Sequence, residues 1–419
     1  MTEHTEEHST WKSKFQAVGP GILLASAAVG GSHIVSSTQA GAIYGWQLAI
    51  IILLINLFKY PFFRFGSQYT LQNDKSLIEG YKEKGKIYLW VFFVMNIFSA
   101  LVNTAAVGIL AAAILFNIFP DGFGLSIAQL TTAIIVIIWS MLLIGGYQFL
   151  DRLAKWVMTA LTIATVLAVV IALFRHREYA PGFVAPSPWQ MAALPFIVSL
   201  MGWMPAPIEI SAINSMWSAE KRKTVKMSYL DGIFDFNIGY IGTAVLAFIF
   251  LALGALIQFG SGEEVKSASA EYIAQFVNMY ASVLGDWSRF LITFIAFLCI
   301  FGTVITVIDG YSRANNESLR LLLNKKEASQ KSLYVWMTLT AVIGIIIVYL
   351  FAGNVATMLR FAMIASFLTT PIFAYLNYSL VNNTEHEVKG WLKALSIAGL
   401  IYLFGFALFF LYAIATGKV

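Results

Sequence analysis

The chain has 419 residues, 59% of them apolar and 12% charged, with a formal charge of +5 and a mean hydropathy of +0.75. A soluble domain carries about 25% charged residues, so this composition excludes one and specifies a chain that crosses a membrane many times. Its single cysteine, Cys299, excludes disulfides within the chain and cysteine-based metal sites, and topology accounts for the positive charge without a nucleic-acid partner.

Met1 to Trp11 is polar and acidic, with no basic stretch leading into a short apolar core. Residues 1–15 are expected to be a cytoplasmic tail and not a signal peptide. His4 and His8 read as solvated residues there. Residues 16–419 then form one membrane domain. Eleven apolar segments reach the roughly 20 residues a span requires, at 18–42, 45–66, 88–118, 127–147, 153–174, 190–217, 230–258, 286–312, 333–353, 357–381 and 391–416. With the N-terminus in the cytoplasm, 21 of the 27 lysines and arginines fall on the inner side, counting Lys59, Arg64 and the Lys221–Lys226 run, and 6 on the outer. That asymmetry puts the N-terminus inside a plasma (inner) membrane and the C-terminus outside it. The outer connection from Gln258 to Trp287 is acidic and mildly amphipathic, and is expected to carry a short surface helix.

The first span is interrupted at Ala28-Val29-Gly30-Gly31-Ser32-His33. Each glycine disfavours continuous helix by about 1 kcal/mol. In lipid, freed backbone groups are tolerated only where protein or a water-filled cavity satisfies them, so a break carrying a hydroxyl and an imidazole suggests a binding site. The plain structural alternative is a close-packing glycine pair, with Ser32 bonded back to its own helix and His33 buried against a neighbour. The sixth span is interrupted at Met204-Pro205-Ala206-Pro207, where two prolines work against a continuous helix; the alternative is a merely kinked one. The two breaks open the halves of a five-plus-five inverted repeat, residues 16–175 and 188–382, with an eleventh span at 391–416. Interrupted segments at matching positions of two such halves mark a transporter's midplane site.

Gly19-Pro20-Gly21-Ile22-Leu23, followed by Gln39-Ala40-Gly41-Ala42-Ile43-Tyr44-Gly45-Trp46, resembles the first helix of the natural resistance-associated macrophage protein (NRAMP) family of divalent-metal transporters, and Met204-Pro205 falls where that family has Met-Pro-His. The resemblance implies an all-α, LeuT-type (APC superfamily) fold working by alternating access. It also exposes departures. The family's metal-binding Asp-Pro-Gly-Asn reads Gly30-Gly31-Ser32-His33 here; Met204 keeps the thioether ligand; the family's two sixth-helix histidines are Ala206 and Ser211; and its acidic third-helix positions align with Asn103 and Ala106.

Ionisable residues inside spans are costly and are functional candidates by default. They are His33, Glu209, Asp231, Asp235, Asp309 and Arg360. Asp231 and Arg360 fall at span ends, where a solvated or structural role is expected, and Asp309, beside Tyr311 and Arg313, is expected to serve a local ion pair or gate and not the cargo. Glu209 follows the second break with no basic residue nearby in sequence, which makes it a candidate proton carrier, or a cation ligand once deprotonated. Its alternative is a neutral carboxyl bonded to a neighbouring helix. Imidazole titrates in the physiological range, so His33, Glu209 and Asp235 are the coupling candidates. Gly30, Gly31, Ser32, His33, Met201, Met204, Ala206 and Glu209 are the expected cargo site.

Two cargo classes stay open. A divalent cation would use His33, Met204 and Glu209 with backbone carbonyls, although hard ions want oxygen ligands. A carboxylate-bearing solute would use the N–H groups at Gly30-Gly31-Ser32, where a half-helix N-terminus favours anions. Family resemblance favours the metal. A proton or sodium is the candidate coupling ion, with Thr303 and Thr306 available for sodium, and no cofactor is implied. A sensor that binds without transporting is a third reading. No nucleophile–base pair, phosphate loop or HExxH spacing supports an enzyme.

Overall fold

The computed structural model describes residues 9–119, 124–145, 148–175, 179–351, 353–382 and 387–419. His4, His8 and most of the expected tail lie outside the described residues. Among those described, every regular element is helical, as lipid requires of a chain that must satisfy its backbone within each segment.

Among the described residues, nine single helices are long and apolar enough to cross a membrane. They are span two at Ala49–Asn73, three at Lys86–Ile118, four at Ile127–Ile144, five at Gln148–Leu173 and seven at Tyr229–Ile257. Eight is Ser288–Leu322, nine Gln330–Leu350, ten Val355–Val381 and eleven Gly390–Ala415. Span one is a bent pair, Pro20–Ala28 and Ser32–Tyr44, with 52° between its halves. Span six is Leu194–Gly202 and Ile210–Thr224, joined by residues 203–209. Its second half ends in Glu220, Lys221, Arg222 and Lys223, which hides it from a test of apolar length alone. The eleven expected spans are therefore present, with spans one and six broken. The expected surface helix is Ala270–Leu284, and Leu77–Lys84 is an additional short helix that hydropathy does not reveal.

Span two continues past residue 66 to Asn73 because its polar end is buried in protein and not in water: Thr70 donates to the Ser215 carbonyl at 3.3 Å, and Arg222 donates to the carbonyls of Thr70 and Leu71. Lys59 and Arg64, counted with the inner side, already fall inside the expected span at 45–66. Both sit within span two, and Lys59 is fully buried.

Span one is locked to span seven on both sides of its break by glycines that allow backbone to touch backbone. A Cβ on Gly21 would lie 2.0 Å from the Asp235 carbonyl oxygen, and one on Gly41 would lie 2.0 Å from that of Leu251. Small residues at such crossings are how membrane helices pack closely. The halves are thus held independently, and the break between them is a fixed feature.

Candidate functional site

Break one satisfies its freed carbonyls with neutral groups from several directions. The first half-helix stops at Ala28, and the chain resumes in wide, π-type turns over Ser32–Ser37. Cys299 Sγ donates to the Val29 carbonyl at 3.3 Å, Thr38 Oγ1 to that of His33 at 3.1 Å, and Tyr272 Oη to those of Ile34 and Val35 at 3.3 and 3.4 Å. Ser32 Oγ lies 3.1 Å from the Ala28 carbonyl and 2.8 Å from His33 Nδ1, so its one proton serves either. His33 Nε2 donates to the Thr243 carbonyl at 3.0 Å, and the ring meets Phe250 edge-on at 6.0 Å. Both nitrogens are occupied, and the imidazole faces span seven.

Break two is satisfied by a charge. Lys59, reaching across from span two, donates from Nζ to the carbonyls of Met201 at 2.8 Å, Gly202 at 2.9 Å and Ala206 at 3.4 Å. An ammonium has three N–H groups and no acceptor, and each of them finds a carbonyl here. The three carbonyls lie at and just beyond the C-terminal end of the first half-helix, the negative end of its dipole. Glu209 immediately precedes the second half-helix at Ile210, the positive end, and is 1% exposed. Tyr311 Oη donates to Glu209 Oε1 at 3.0 Å, and the Ser99 hydroxyl acts on the same carboxyl. Glu209 and Lys59 are near enough for their charges to interact. Break two therefore holds an amine and a carboxyl, each at the helix end that favours its charged form.

Between the breaks lies a cavity of about 40 Å³. A buried water needs about 15 Å³, so there is room for a small ion with little of its hydration shell. Its walls come from Gly30, Gly31 and Ser32 of break one and from Ala206 and Pro207 of break two. Spans three and eight add the Asn103 amide and the hydroxyls of Thr303, Thr306 and Tyr311. Thr303 and Thr306 donate to the carbonyls of Cys299 and Gly302 four residues back, which leaves their oxygen lone pairs free to face a cation. Asn103 Nδ2 donates to Tyr311 Oη at 2.9 Å. A hydrogen-bonded path thus runs from the cavity wall through Tyr311 to Glu209.

The structure redistributes the expected roles. Gly30, Gly31, Ser32 and Ala206 line the cavity; His33, Met201, Met204 and Glu209 do not. None of the expected ligand trio of His33, Met204 and Glu209 lines the cavity, and among the described residues no group of three His, Cys, Asp or Glu side chains is placed to hold a metal. Met204 is fully buried, and Met201 offers its sulfur to Tyr402 Oη at 3.2 Å. Asp235 accepts from the backbone N–H of Gly19 at 2.8 Å and of Gly21 at 2.7 Å. It caps the first half of span one, which argues against its assignment to coupling. Asp231 accepts from Ser9 and Ser13, holding the helix Trp11–Ala17, and Asp309 pairs with Arg313 at 2.8 Å. Arg360 is exposed.

Sequence reasoning missed Lys59 and Tyr311. A signal for Lys59 was present: Ile52, Ile55 and Phe62 lie seven and four residues before it and three after, one helical face, and all three are fully buried.

Comparison with known proteins places this geometry in context. Residues 21–413 match the family model described as natural resistance-associated macrophage protein-like. An uncharacterised protein of Pasteurella multocida (strain Pm70) is 60% identical over 416 residues, 98% of this chain and 96% of that one. The divalent metal cation transporter MntH of Latilactobacillus sakei is 23% identical over 271 residues, 61% of this chain and 57% of that one. Among solved structures, a mutant of the Eremococcus coleocola manganese transporter superposes with a TM-score of 0.71 at 14% identity, covering 96% of this chain and 87% of that one. Mhp1, a nucleobase-cation-symport-1 family transporter, does so with a TM-score of 0.58 at 14% identity, covering 95% and 92%.

Proposed function

The chain belongs to the natural resistance-associated macrophage protein-like family of membrane transporters, and from that premise we propose that it carries a small cation, a divalent metal, by alternating access around breaks one and two. The observation that carries this reading is the cavity of about 40 Å³ bounded by both breaks, whose mostly apolar wall (Ala27, Val107, Trp203, Ile210, Val307) carries neutral oxygen groups from Asn103, Thr303, Thr306 and Tyr311. Oxygen ligands suit hard divalent ions such as magnesium or manganese. They replace the imidazole–thioether set expected from sequence. With no carboxylate on the cavity wall among the described residues, the compensating charge is Glu209, one hydrogen bond behind Tyr311. Glu209 is the candidate proton carrier, releasing its proton as the cation arrives.

The two five-span units, 16–175 and 188–382, would rock about the breaks, with the tail and the basic Lys221–Lys226 segment in the cytoplasm and the C-terminus outside. A cysteine placed in that segment should label from the cytoplasmic side only. Purified protein in proteoliposomes should take up manganese or magnesium saturably under an inward gradient, and binding without flux would identify a sensor instead. A carboxylate-bearing solute is the second reading, favoured by the neutral cavity wall. It needs a cavity larger than this one, and uptake of labelled amino or organic acids with no metal flux would establish it.

A further inference from the structure

Lys59 is chemically excessive for the task of satisfying backbone. A serine, asparagine or tyrosine would cover the carbonyls of a broken helix without burying a full charge, and break one is satisfied by such neutral groups. A buried ammonium is costly unless it is paired and fully hydrogen-bonded. Here three carbonyl oxygens converge on one point at 2.8, 2.9 and 3.4 Å from Nζ, with the Glu209 carboxyl on the far side of the break. Converging carbonyls at a helix C-terminal end, backed by one anion, are what a desolvated monovalent cation requires.

We propose that the carbonyl cage of Met201, Gly202 and Ala206 is a monovalent-cation site that this protein fills with its own Lys59 ammonium, so that cargo movement needs no sodium ion there. The lysine is tethered from span two, outside the two broken helices. It supplies the positive charge that holds the two ends of break two together, whatever the bulk ion composition. The proposal rests on reading the two breaks as the transport site, but its test does not depend on the cargo.

The experiment uses the full-length protein in detergent, comparing sodium chloride with choline chloride at equal ionic strength. Lys59→Met empties the cage while keeping a similar volume. Its unfolding midpoint should rise by about 3 °C or more on adding sodium, as binding to the folded state alone requires, while the unmodified protein shifts by less than about 1 °C. The double variant Lys59→Met with Glu209→Gln should bind sodium at least about tenfold more weakly than Lys59→Met. If Lys59→Met folds poorly, Lys59→Leu, which also places no N–H donor in the cage, should gain the same sodium response. Variants that fold without responding to sodium or potassium would overturn the proposal. So would variants that no cation rescues, because a vacated cation site should refill. Manganese uptake by the unmodified protein, together with sodium-blind variants, would sink this inference and leave the cargo reading intact. Sodium-responsive variants of a protein that moves no metal would do the reverse.

Discussion

The two helix breaks look alike as interruptions of apolar spans, yet they solve the same backbone problem in opposite ways. Break one spreads its freed carbonyls over Cys299, Thr38, Tyr272 and Ser32, all uncharged. Break two gathers three carbonyls onto Lys59 and places Glu209 at the opposing helix end. The difference teaches where charge can do work. Break one shapes the cavity with backbone and small side chains, whereas break two holds the ionisable groups within one hydrogen bond of it. Glu209 and Asp235 make the same point between them. Asp235 spends both oxygens on the N–H groups of Gly19 and Gly21 and is a staple, while Glu209 reaches the cavity wall through Tyr311.

If break one depends on backbone contact, the most damaging change should be steric. Gly21→Val would drive a branched side chain into the Asp235 carbonyl, where even a Cβ would sit 2.0 Å away. Overpacking at a small-residue crossing cannot be relieved by a rotamer change, so monodisperse protein should fall by about tenfold or more. Size-exclusion chromatography measures this, and a normal profile would show that spans one and seven can separate without loss.

The next effect concerns break two. Glu209→Gln preserves the hydrogen bond from Tyr311 and removes the charge. Uptake should drop at least about tenfold, roughly 1.4 kcal/mol of lost coupling or binding, at normal expression. Near-normal uptake would reduce Glu209 to a buried carboxyl with a structural part only, and the contrast between the breaks would lose its functional half.

How far the sequence led follows from what each residue type reveals. Apolar length gave the spans, and paired glycines and prolines gave the breaks, because both are one-dimensional signals. Side-chain direction is not. His33 follows the glycines directly, yet the wide turns over Ser32–Ser37 aim it at Thr243 and Phe250. Lys59 reads from sequence only as one more inner-side charge, although its face of the helix is buried. Asp235 read as a coupling group because its partners, Gly19 and Gly21, are distant in sequence and offer only backbone. Tyr311 was passed over because a tyrosine in an apolar span is unremarkable until its hydroxyl is placed between a cavity and a carboxylate.

A smaller effect should come from giving break one the charge it lacks. A Cβ at Gly30 meets Thr303 Oγ1 at 3.4 Å and Ile300 Cδ1 at 3.6 Å, ordinary contacts, so Gly30→Asp fits at the cavity wall. Manganese affinity by calorimetry should rise about fivefold, near 1 kcal/mol. The gain is modest because desolvating a new carboxylate offsets much of its attraction for the ion. Weaker binding would mean that the cargo is not a dication. At Gly31, by contrast, a Cβ would lie 2.8 Å from Trp203 Cζ3, so the same substitution one residue on tests space and not charge.

The smallest effect should come from His33, the residue whose identity most invites a role as ligand. Its Nε2 is engaged by the Thr243 carbonyl at 3.0 Å, its Nδ1 lies 2.8 Å from Ser32 Oγ, and its ring abuts Phe250. Turning it toward the cavity would forfeit all three contacts and leave a buried carbonyl without its donor, at about 1–3 kcal/mol. His33→Gln keeps one donor and one acceptor at similar reach and loses mainly the aromatic contact, worth about 0.5–1.5 kcal/mol. Manganese affinity should therefore change by less than about twofold, with the unfolding midpoint lowered by a few degrees. Calorimetry and thermal unfolding on the same preparation separate the two readouts. A tenfold loss of affinity at unchanged stability would show that the imidazole swings to the cargo during transport, and break one would then carry an ionisable group acting on the cargo as break two does.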